Sequence, residues 1–161
     1  MRPRASVLVL GFGNPGRGDD AIGPLLIERL QGWLLEQNMA EVEALTDMQL
    51  NIEHALDLAG RRRVLFIDAA LNGAEPFACA AVTAADDASY TTHAVSPAAL
   101  LAICERVAGK PAPRAELLAI PGERFGLGEA LSAGAAERTE RAWVWLLAWC
   151  RAAVGQEADH A

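Results

Sequence analysis

The sequence predicts a single α/β domain, a three-layer α/β/α sandwich around a five-stranded mixed sheet that is mostly parallel. The chain has 161 residues, 52% hydrophobic and 22% charged, which suits one domain with a sizeable core and is too short for two. Short β-branched apolar segments alternate along it with longer segments of helical periodicity, a pattern typical of a sheet covered by helices. We assign the domain to residues 1–155 and a polar tail to residues 156–161.

The apolar segments predict five strands and the direction of one of them. The first, SVLVL at residues 6–10, is a continuous apolar run, as expected of a central strand buried on both faces. The others are predicted at residues 41–45, 64–67, 77–82 and 117–120. Only residues 68–76 separate the third strand from the fourth, which is too few for a helical crossover. We therefore expect the fourth strand to run antiparallel.

Four helices are predicted between and after these strands. They are expected at residues 20–37, 52–59, 97–107 and 132–154. Apolar residues recur at helical spacing in the first, and Ser96 and Pro97 suit the N-cap and first turn of the third. Sheets of this class bind ligands beyond the carboxyl ends of their strands, where the strand order reverses, so the chemistry is expected in the loops at that edge.

The charge composition argues against nucleic acid and membrane surfaces as partners. There are 14 Lys and Arg residues against 21 Asp and Glu, a formal net charge of −7. Phosphate backbones and anionic lipids attract clustered basic residues, which this chain lacks. No apolar segment approaches the length of a membrane span, no signal peptide is predicted, and the cysteines form no C-x-x-C pair. We therefore expect a cytoplasmic protein without nucleic-acid or membrane partners.

A glycine-rich segment, GFGNPGRGDDAIG, occupies residues 11–23 after the first strand. It satisfies G-x-G-x-x-G formally, but Asp19 and Asp20 lie between the glycines and the helix, where two carboxylates would repel a phosphate. No G-K-S/T follows, which excludes a P-loop. We therefore predict no nucleotide cofactor. Helix capping accounts for one aspartate, since Asp is favoured at that position.

Three residues from separate parts of the chain form a candidate site. Asp20 follows the first strand, Asp68 ends the third, and His93 lies in a polar loop before the third helix. The carboxyl ends of parallel strands meet at one edge of the sheet, and the loop that carries His93 can close over that edge. Two carboxylates and one imidazole suit a divalent transition metal with coordination positions left open. His54, on the second predicted helix, is not included in this set.

These residues resemble the motifs of the maturation endopeptidases of nickel-iron hydrogenases, which trim the C-terminal extension of the hydrogenase large subunit. The resemblance spans about residues 7–151 and rests on VLVLGFGN, GDDAIGPLL, VLFIDAALNG and TTH, in that order. It implies an aspartate- and metal-dependent endopeptidase in which Asp20, Asp68 and His93 bind the metal and the two aspartates also serve catalysis.

The resemblance also implies a partner, a metal and a set of substrate contacts. The partner is the large-subunit precursor, and the metal is nickel that this precursor already carries and shares with the enzyme as its recognition element. Substrate contacts fall on Gly13 and Asn14 and, after the second strand, on Asp47, Met48 and Gln49. Many members of the family have D-G-G-T-x-G after that strand, whereas this chain has TDMQLN at residues 46–51.

The sequence leaves two other functions open. GFGNPG also resembles the G-x-x-N-P-G opening of peptidyl-tRNA hydrolases, whose fold is similar. Those enzymes follow it closely with a tyrosine and a catalytic histidine and bind tRNA through basic surface, whereas the next histidine here is His54 and the net charge is −7. A noncatalytic metal-binding or partner-binding module is the third possibility.

Overall fold

The computed structural model describes residues 3–86 and 94–158, with side chains as far as residue 155. Within these ranges, strands and helices alternate as predicted, and a short 3-10 helix (Gly18–Ala21) precedes the first α-helix. The strands are β1 (Val7–Phe12), β2 (Val42–Asp47), β3 (Arg63–Ala70), β4 (Ala78–Val82) and β5 (Arg114–Pro121). The helices are α1 (Ile22–Glu36), α2 (His54–Leu58), α3 (Pro97–Ala108) and α4 (Ala133–Ala158). The predicted α/β class is confirmed.

The strands form one mixed sheet in the order β2-β1-β3-β5-β4. β1 pairs in parallel with β2 and β3, and β3 pairs in parallel with β5. β4 runs antiparallel to β5, as the short connection from β3 predicts. The chain goes from β1 outward to β2 and then returns past β1 to β3, so the strand order reverses between β1 and β3. The carboxyl ends of these two strands flank the crevice where sheets of this class bind ligands.

Helices cover both faces of the sheet. α1 and α4 pack on one face against a core that includes Val9 and Ile67, and α2 and α3 pack on the other against Leu10 and Phe66. Neighbouring residues of β3 alternate between the two cores, as strand geometry requires. The central strands are thus buried on both faces, as the apolar run predicts. In the described part of the chain, none of the helices combines the length and the apolar character needed to cross a membrane.

The first α-helix begins at Ile22, two residues later than the sequence pattern predicts. Its N-cap is Ala21, which makes no side-chain capping hydrogen bond, and Asp19 and Asp20 belong to the preceding 3-10 helix. Neither aspartate caps α1, so the prediction that one of them does is wrong. Both carboxylates bind backbone N–H groups outside α1, which keeps residues 18–21 in a separate turn.

Two of the glycines near β1 allow α1 to approach the sheet closely. A Cβ atom at Gly11 would lie 2.5 Å from Cγ1 of Ile27, and one at Gly23 would lie 2.7 Å from the carbonyl oxygen of Phe12. Contacts this short are essentially never tolerated, so larger residues would push the helix off the strand. Helix–strand packing accounts for these two glycines.

A partly buried polar cluster joins β3, β4, β5 and α4. The Glu116 carboxylate accepts hydrogen bonds from the Arg63 guanidinium, from the Trp149 indole N–H at 3.1 Å and from the Cys79 thiol at 3.4 Å. Burial raises the pKa of Glu116, but the hydrogen bonds from Trp149 and Cys79 and the charge of Arg63 outweigh it and lower the pKa overall. The cluster therefore supplies a buried arginine with an ionised partner.

Glu116→Ala is expected to lower the free energy of unfolding by about 2 to 3 kcal/mol, because the buried Arg63 loses the carboxylate that offsets its desolvation. Urea unfolding measures the change. Glu140→Ala is the matched control, since Glu140 pairs with Arg29 at 2.8 Å on the surface, and it should cost less than about 1 kcal/mol. Equal losses in the two variants would contradict the assignment.

Candidate active site

Asp68 lies at the crevice where the strand order reverses. The pairing of β1 with β3 ends at Gly11 and Ile67, so Asp68 is the first residue of β3 beyond that ladder. It does not end the strand as predicted, since β3 continues to Ala70 in pairing with β5. Because side chains alternate along a strand, Asp68 shares its face with Phe66, the face covered by α2 and α3.

Asp20 reaches the same crevice on the 3-10 helix that follows β1. One of its carboxylate oxygens accepts a hydrogen bond from the backbone N–H of Asn14 at 2.6 Å. Gly13 makes this approach possible, because its φ is 152° and a Cβ atom there would overlap the carbonyl oxygen of Asp20. The segment after β1 therefore holds Asp20 close to the end of that strand.

Asp20 and Asp68 interact electrostatically. Burial raises the pKa of Asp68, and the negative charge of Asp20 raises it further, to about 7 from an ordinary value of 3.8. A hydrogen bond from the backbone of Ala69 opposes this shift only in part. A carboxyl group with this pKa is partly protonated at neutral pH, which is typical of carboxylate pairs that take part in acid–base chemistry. The structure thus brings together two of the three residues predicted for the site.

The third residue, His93, lies outside the described residues. Shortly after it, the N–H of Val95 donates to the carbonyl of Leu50 at 3.3 Å, beside the loop that follows β2. Across residues 3–86 and 94–158, no three His, Cys, Asp or Glu side chains are grouped so that they could hold a metal ion. Metal binding by Asp20, Asp68 and His93 stays a prediction.

The residues predicted to contact substrate lie on two adjacent loops. The N–H of Gly13 donates to the carbonyl of Asp47 at 3.1 Å, which joins the loop after β1 to the end of β2. The side-chain oxygen of Asn14 closes its own turn by accepting from a backbone N–H two residues on, at 2.8 Å. Met48 is 58% exposed and Gln49 is also exposed. All five residues thus lie at the carboxyl edge, and their contact with substrate stays a prediction.

His54 is a site neighbour that the sequence analysis missed. Its Nδ1 accepts from the N–H of Asn51 at 2.9 Å, and its Nε2 lies 3.2 Å from the Asp47 carboxylate. Because Nδ1 accepts, the proton of the neutral ring is on Nε2 and faces Asp47. The buried imidazole therefore ties the divergent segment after β2 to the start of α2. The signal in the sequence was an aspartate at a strand end followed by a histidine at the next helix.

Asp19 was also missed, because the sequence offers only its capping propensity. The side chain is fully buried. Its carboxylate accepts hydrogen bonds from the backbone N–H groups of Glu123 at 2.6 Å, Arg124 at 3.0 Å and Ser132 at 2.7 Å, and from the Ser132 hydroxyl at 2.7 Å. Burial raises the pKa of Asp19, but these hydrogen bonds outweigh it and hold the pKa below its ordinary value. Asp19 is therefore a buried, ionised residue next to Asp20.

The fold and the site define an α/β protein with a pair of aspartates at the point where the strand order reverses. The chain is similar in structure to the NiFe hydrogenase maturation protease HycI from Thermococcus kodakarensis, with a TM-score of 0.70 and 25% identity over 88% of this chain and 90% of that one. It is also similar to the hydrogenase maturating endopeptidase HybD from E. coli, with a TM-score of 0.67 and 25% identity over 91% and 93% of the two chains. The hydrogenase 2 maturation peptidase from a Thaumarchaeota archaeon shares the fold, with a TM-score of 0.62 and 23% identity over 88% and 95%.

These comparisons confirm the resemblance that the motifs indicate: the chain is a structural relative of the hydrogenase maturation proteases. They support a hydrolase of the protease class. No protein-family model matches the chain, and no curated protein sequence does.

Proposed function

We propose that the protein is a cytoplasmic endopeptidase that removes the C-terminal extension of a nickel-iron hydrogenase large-subunit precursor after nickel insertion. The observation that carries this proposal is the pairing of Asp20 with Asp68 at the switch point of the sheet, where Asp20 is held by the Asn14 N–H at 2.6 Å and Asp68 is the first residue of β3 beyond its ladder with β1. The pairing occurs in a chain whose fold matches solved maturation proteases over about nine-tenths of its length, 88% and 91% in the two comparisons.

Recognition is proposed to depend on the nickel that the precursor carries. Two carboxylates and an imidazole, from Asp20, Asp68 and His93, are donors that a divalent nickel ion accepts. Three such residues leave coordination positions open, and in this proposal the precursor fills them and brings the metal with it. A precursor without nickel presents no cation to these carboxylates, and its tail is then not held at the crevice.

Peptide hydrolysis is proposed to use the same two aspartates. A carboxylate has two oxygens, so a group that meets the metal with one can accept a proton from water with the other. The water oxygen bonds to the scissile carbonyl carbon, the carbon–nitrogen bond breaks, and the proton is delivered to the leaving amine. Asp68 suits this transfer because burial and the charge of Asp20 raise the pKa of its carboxyl group in the metal-free chain, so that its carboxylate binds a proton more tightly than an ordinary aspartate does.

The loops after β1 and β2 are proposed to contact the precursor. Gly13 and Asn14 border Asp20, and Asp47 is hydrogen-bonded to Gly13 at 3.1 Å, so these residues flank the aspartate pair. Met48 presents an exposed apolar side chain, a residue type enriched in protein interfaces. The segment that diverges from the family pattern would then help to select the hydrogenase that is processed.

Cleavage is expected to require nickel in the precursor. Incubation with a panel of nickel-loaded large-subunit precursors should release one C-terminal peptide, detected as a loss of mass, and nickel-free precursors should react at least about 100-fold more slowly because their tails are not positioned. Asp20→Asn with the loaded precursor is the control for contaminating proteases.

The alternatives give different results in this assay and in a parallel one with peptidyl-tRNA. Equal cleavage of loaded and nickel-free precursors would contradict recognition through nickel. Binding of the loaded precursor without cleavage would favour a noncatalytic module. Release of peptide from peptidyl-tRNA, weakening steeply with salt through phosphate contacts, would favour the hydrolase whose opening motif this chain shares.

A further inference from the structure

Asp19 connects the 3-10 helix before α1 to the loop before α4. Its carboxylate binds the backbone of Glu123 and Arg124, just after β5, and both the backbone and hydroxyl of Ser132. Ser132 in turn accepts from the N–H of Ala135 at 3.2 Å, in the first turn of α4. We call Asp19 together with Glu123, Arg124 and Ser132 the Asp19 clamp. It spans two segments that no regular secondary structure joins.

The backbone around the clamp has little room to shift. The N–H of Asp19 donates to the carbonyl of Arg124 at 2.7 Å, so the two segments are joined through the main chain as well. A Cβ atom at Gly18 would overlap that same carbonyl oxygen, and one at Gly122 would lie 2.7 Å from Cβ of Asp19. The loop therefore packs directly against the 3-10 helix.

Asp20 is the next residue, and it is fixed from both sides. Its backbone follows Asp19, which the clamp holds, and its carboxylate accepts from the N–H of Asn14 at 2.6 Å. A displacement of the 3-10 helix would move the Asp20 carboxylate away from Asn14 and change its position relative to Asp68. The N–H of Asn14 therefore reports directly on where that carboxylate lies.

We propose that Asp19 is a positioning residue for the peptidase reaction, which holds Asp20 in place opposite Asp68 by fixing the 3-10 helix to the loop before α4. The inference rests on the proposed function for its consequence in catalysis, and on the geometry alone for its consequence in structure. Asp19 is fully buried, and it accepts hydrogen bonds from two backbone segments. These features suit a positioning role better than helix capping, which a single exposed carboxylate can perform.

The structural part is tested by amide hydrogen exchange of the Asn14 N–H, followed by NMR in the full chain. In Asp19→Asn, an amide NH₂ group faces backbone donors, so the clamp opens and Asn14 should exchange at least about 10-fold faster than in the wild type, toward the rate in Asp20→Ala, where the Asn14 N–H has no side-chain acceptor at position 20. Glu116→Ala is the control for a general loss of stability. In this variant the Asn14 amide should stay protected from exchange as long as the chain is folded. An Asn14 amide that exchanges at the wild-type rate in Asp19→Asn overturns the proposal.

The catalytic part is tested with the nickel-loaded precursor at a temperature where each variant is folded by near-ultraviolet circular dichroism. Asp19→Asn should lower kcat by about 30-fold to 100-fold with KM changed less than about 3-fold, since a shift of about 1 Å in a reacting group costs this much. Glu116→Ala should retain the wild-type kcat. A wild-type kcat in a folded Asp19→Asn protein overturns the proposal, as does an equal loss in Glu116→Ala.

Ser132→Ala provides a second variant should Asp19→Asn fail to fold. It removes the hydroxyl donor and keeps the three backbone donors, so Asn14 exchange and kcat should change in the same direction by smaller factors. No change in either quantity overturns the proposal. If the wild type cleaves no precursor, the proposed function fails, and the exchange of Asn14 still decides whether Asp19 positions Asp20.

Discussion

Asp20→Asn and Asp68→Asn are each expected to reduce precursor cleavage by about 10³-fold while the protein stays folded. Each change keeps the size of the side chain and removes a carboxylate that the proposed reaction needs for nickel recognition and proton transfer, and general acid–base groups contribute on this scale. His93→Ala should lower the rate of precursor cleavage to a similar extent if His93 joins the two aspartates. The measurement is the rate of peptide release from a nickel-loaded precursor in single-turnover conditions.

Asp86→Asn is the matched control for this prediction. Asp86 forms an ion pair with Arg106 at 2.9 Å, and its side chain is 84% exposed, so the substitution removes the same charge at the surface. Its cleavage rate should equal that of the wild type. A variant of Asp20 or Asp68 that cleaves at the wild-type rate would exclude that residue from the reaction.

The parts of the fold that were predictable depend on local pattern and chain length. A continuous apolar run marks β1 as buried on both faces, and the short connection before β4 leaves no room for a helical crossover. Asp20 and Asp68 were also predictable as neighbours, because each lies near the carboxyl end of a parallel strand and such ends share one edge. The mostly parallel sheet, the direction of β4 and the placement of the two aspartates therefore follow from rules that need no distant contact.

The parts that were missed depend on contacts between distant residues. Asp19 binds Glu123, which is 104 residues away in sequence, and capping preferences describe only the residues next to a helix end. Helix capping, the interpretation that the local sequence favours, was therefore wrong for Asp19. His54 illustrates the same limit at shorter range, because its pairing with Asp47 depends on how the segment after β2 turns back toward α2.

The divergent segment after β2 has a defined conformation. Asp47 is held by Gly13 through its carbonyl and by His54 through its carboxylate, at 3.1 Å and 3.2 Å. The exposed side chain of Met48 is therefore presented from a fixed backbone, which reduces the entropy lost when a partner binds. If this segment selects the hydrogenase, its exposed side chains can change without loss of the contact to Gly13, because Gly13 donates to the backbone carbonyl of Asp47 and not to a side chain.

The same aspartate pair should lower the stability of the free protein. Asp68 has a pKa of about 7 in the folded chain against 3.8 for an ordinary aspartate, so the folded state binds its proton more tightly than the unfolded state does. Stability contributed by protonated Asp68 is therefore lost as the pH rises from about 4 through about 7. Asn has no proton to lose, so Asp68→Asn should stabilise the metal-free protein by about 2 to 3 kcal/mol at pH 8, after allowance for partial exposure of the site.

Urea unfolding at pH 5.5 and pH 8, in buffer with a chelator, separates this effect from a general gain in packing. The advantage of Asp68→Asn over the wild type should grow by about 1 to 2 kcal/mol between these two pH values, because most of the ionisation of folded Asp68 occurs in that interval. Asp20→Asn should give a smaller gain of the same sign, since the charge of Asp20 is the lesser cause of the raised pKa and burial the larger. The exposed variant Asp86→Asn should show no such pH dependence.

An advantage that is equal at both pH values would mean that Asp68 is ionised throughout, and a loss of stability in Asp68→Asn would mean that its carboxylate is held by favourable contacts. Either result would remove the reason for assigning Asp68 the proton transfer, whereas the expected result would mean that a residue needed by the reaction lowers the stability of the free protein.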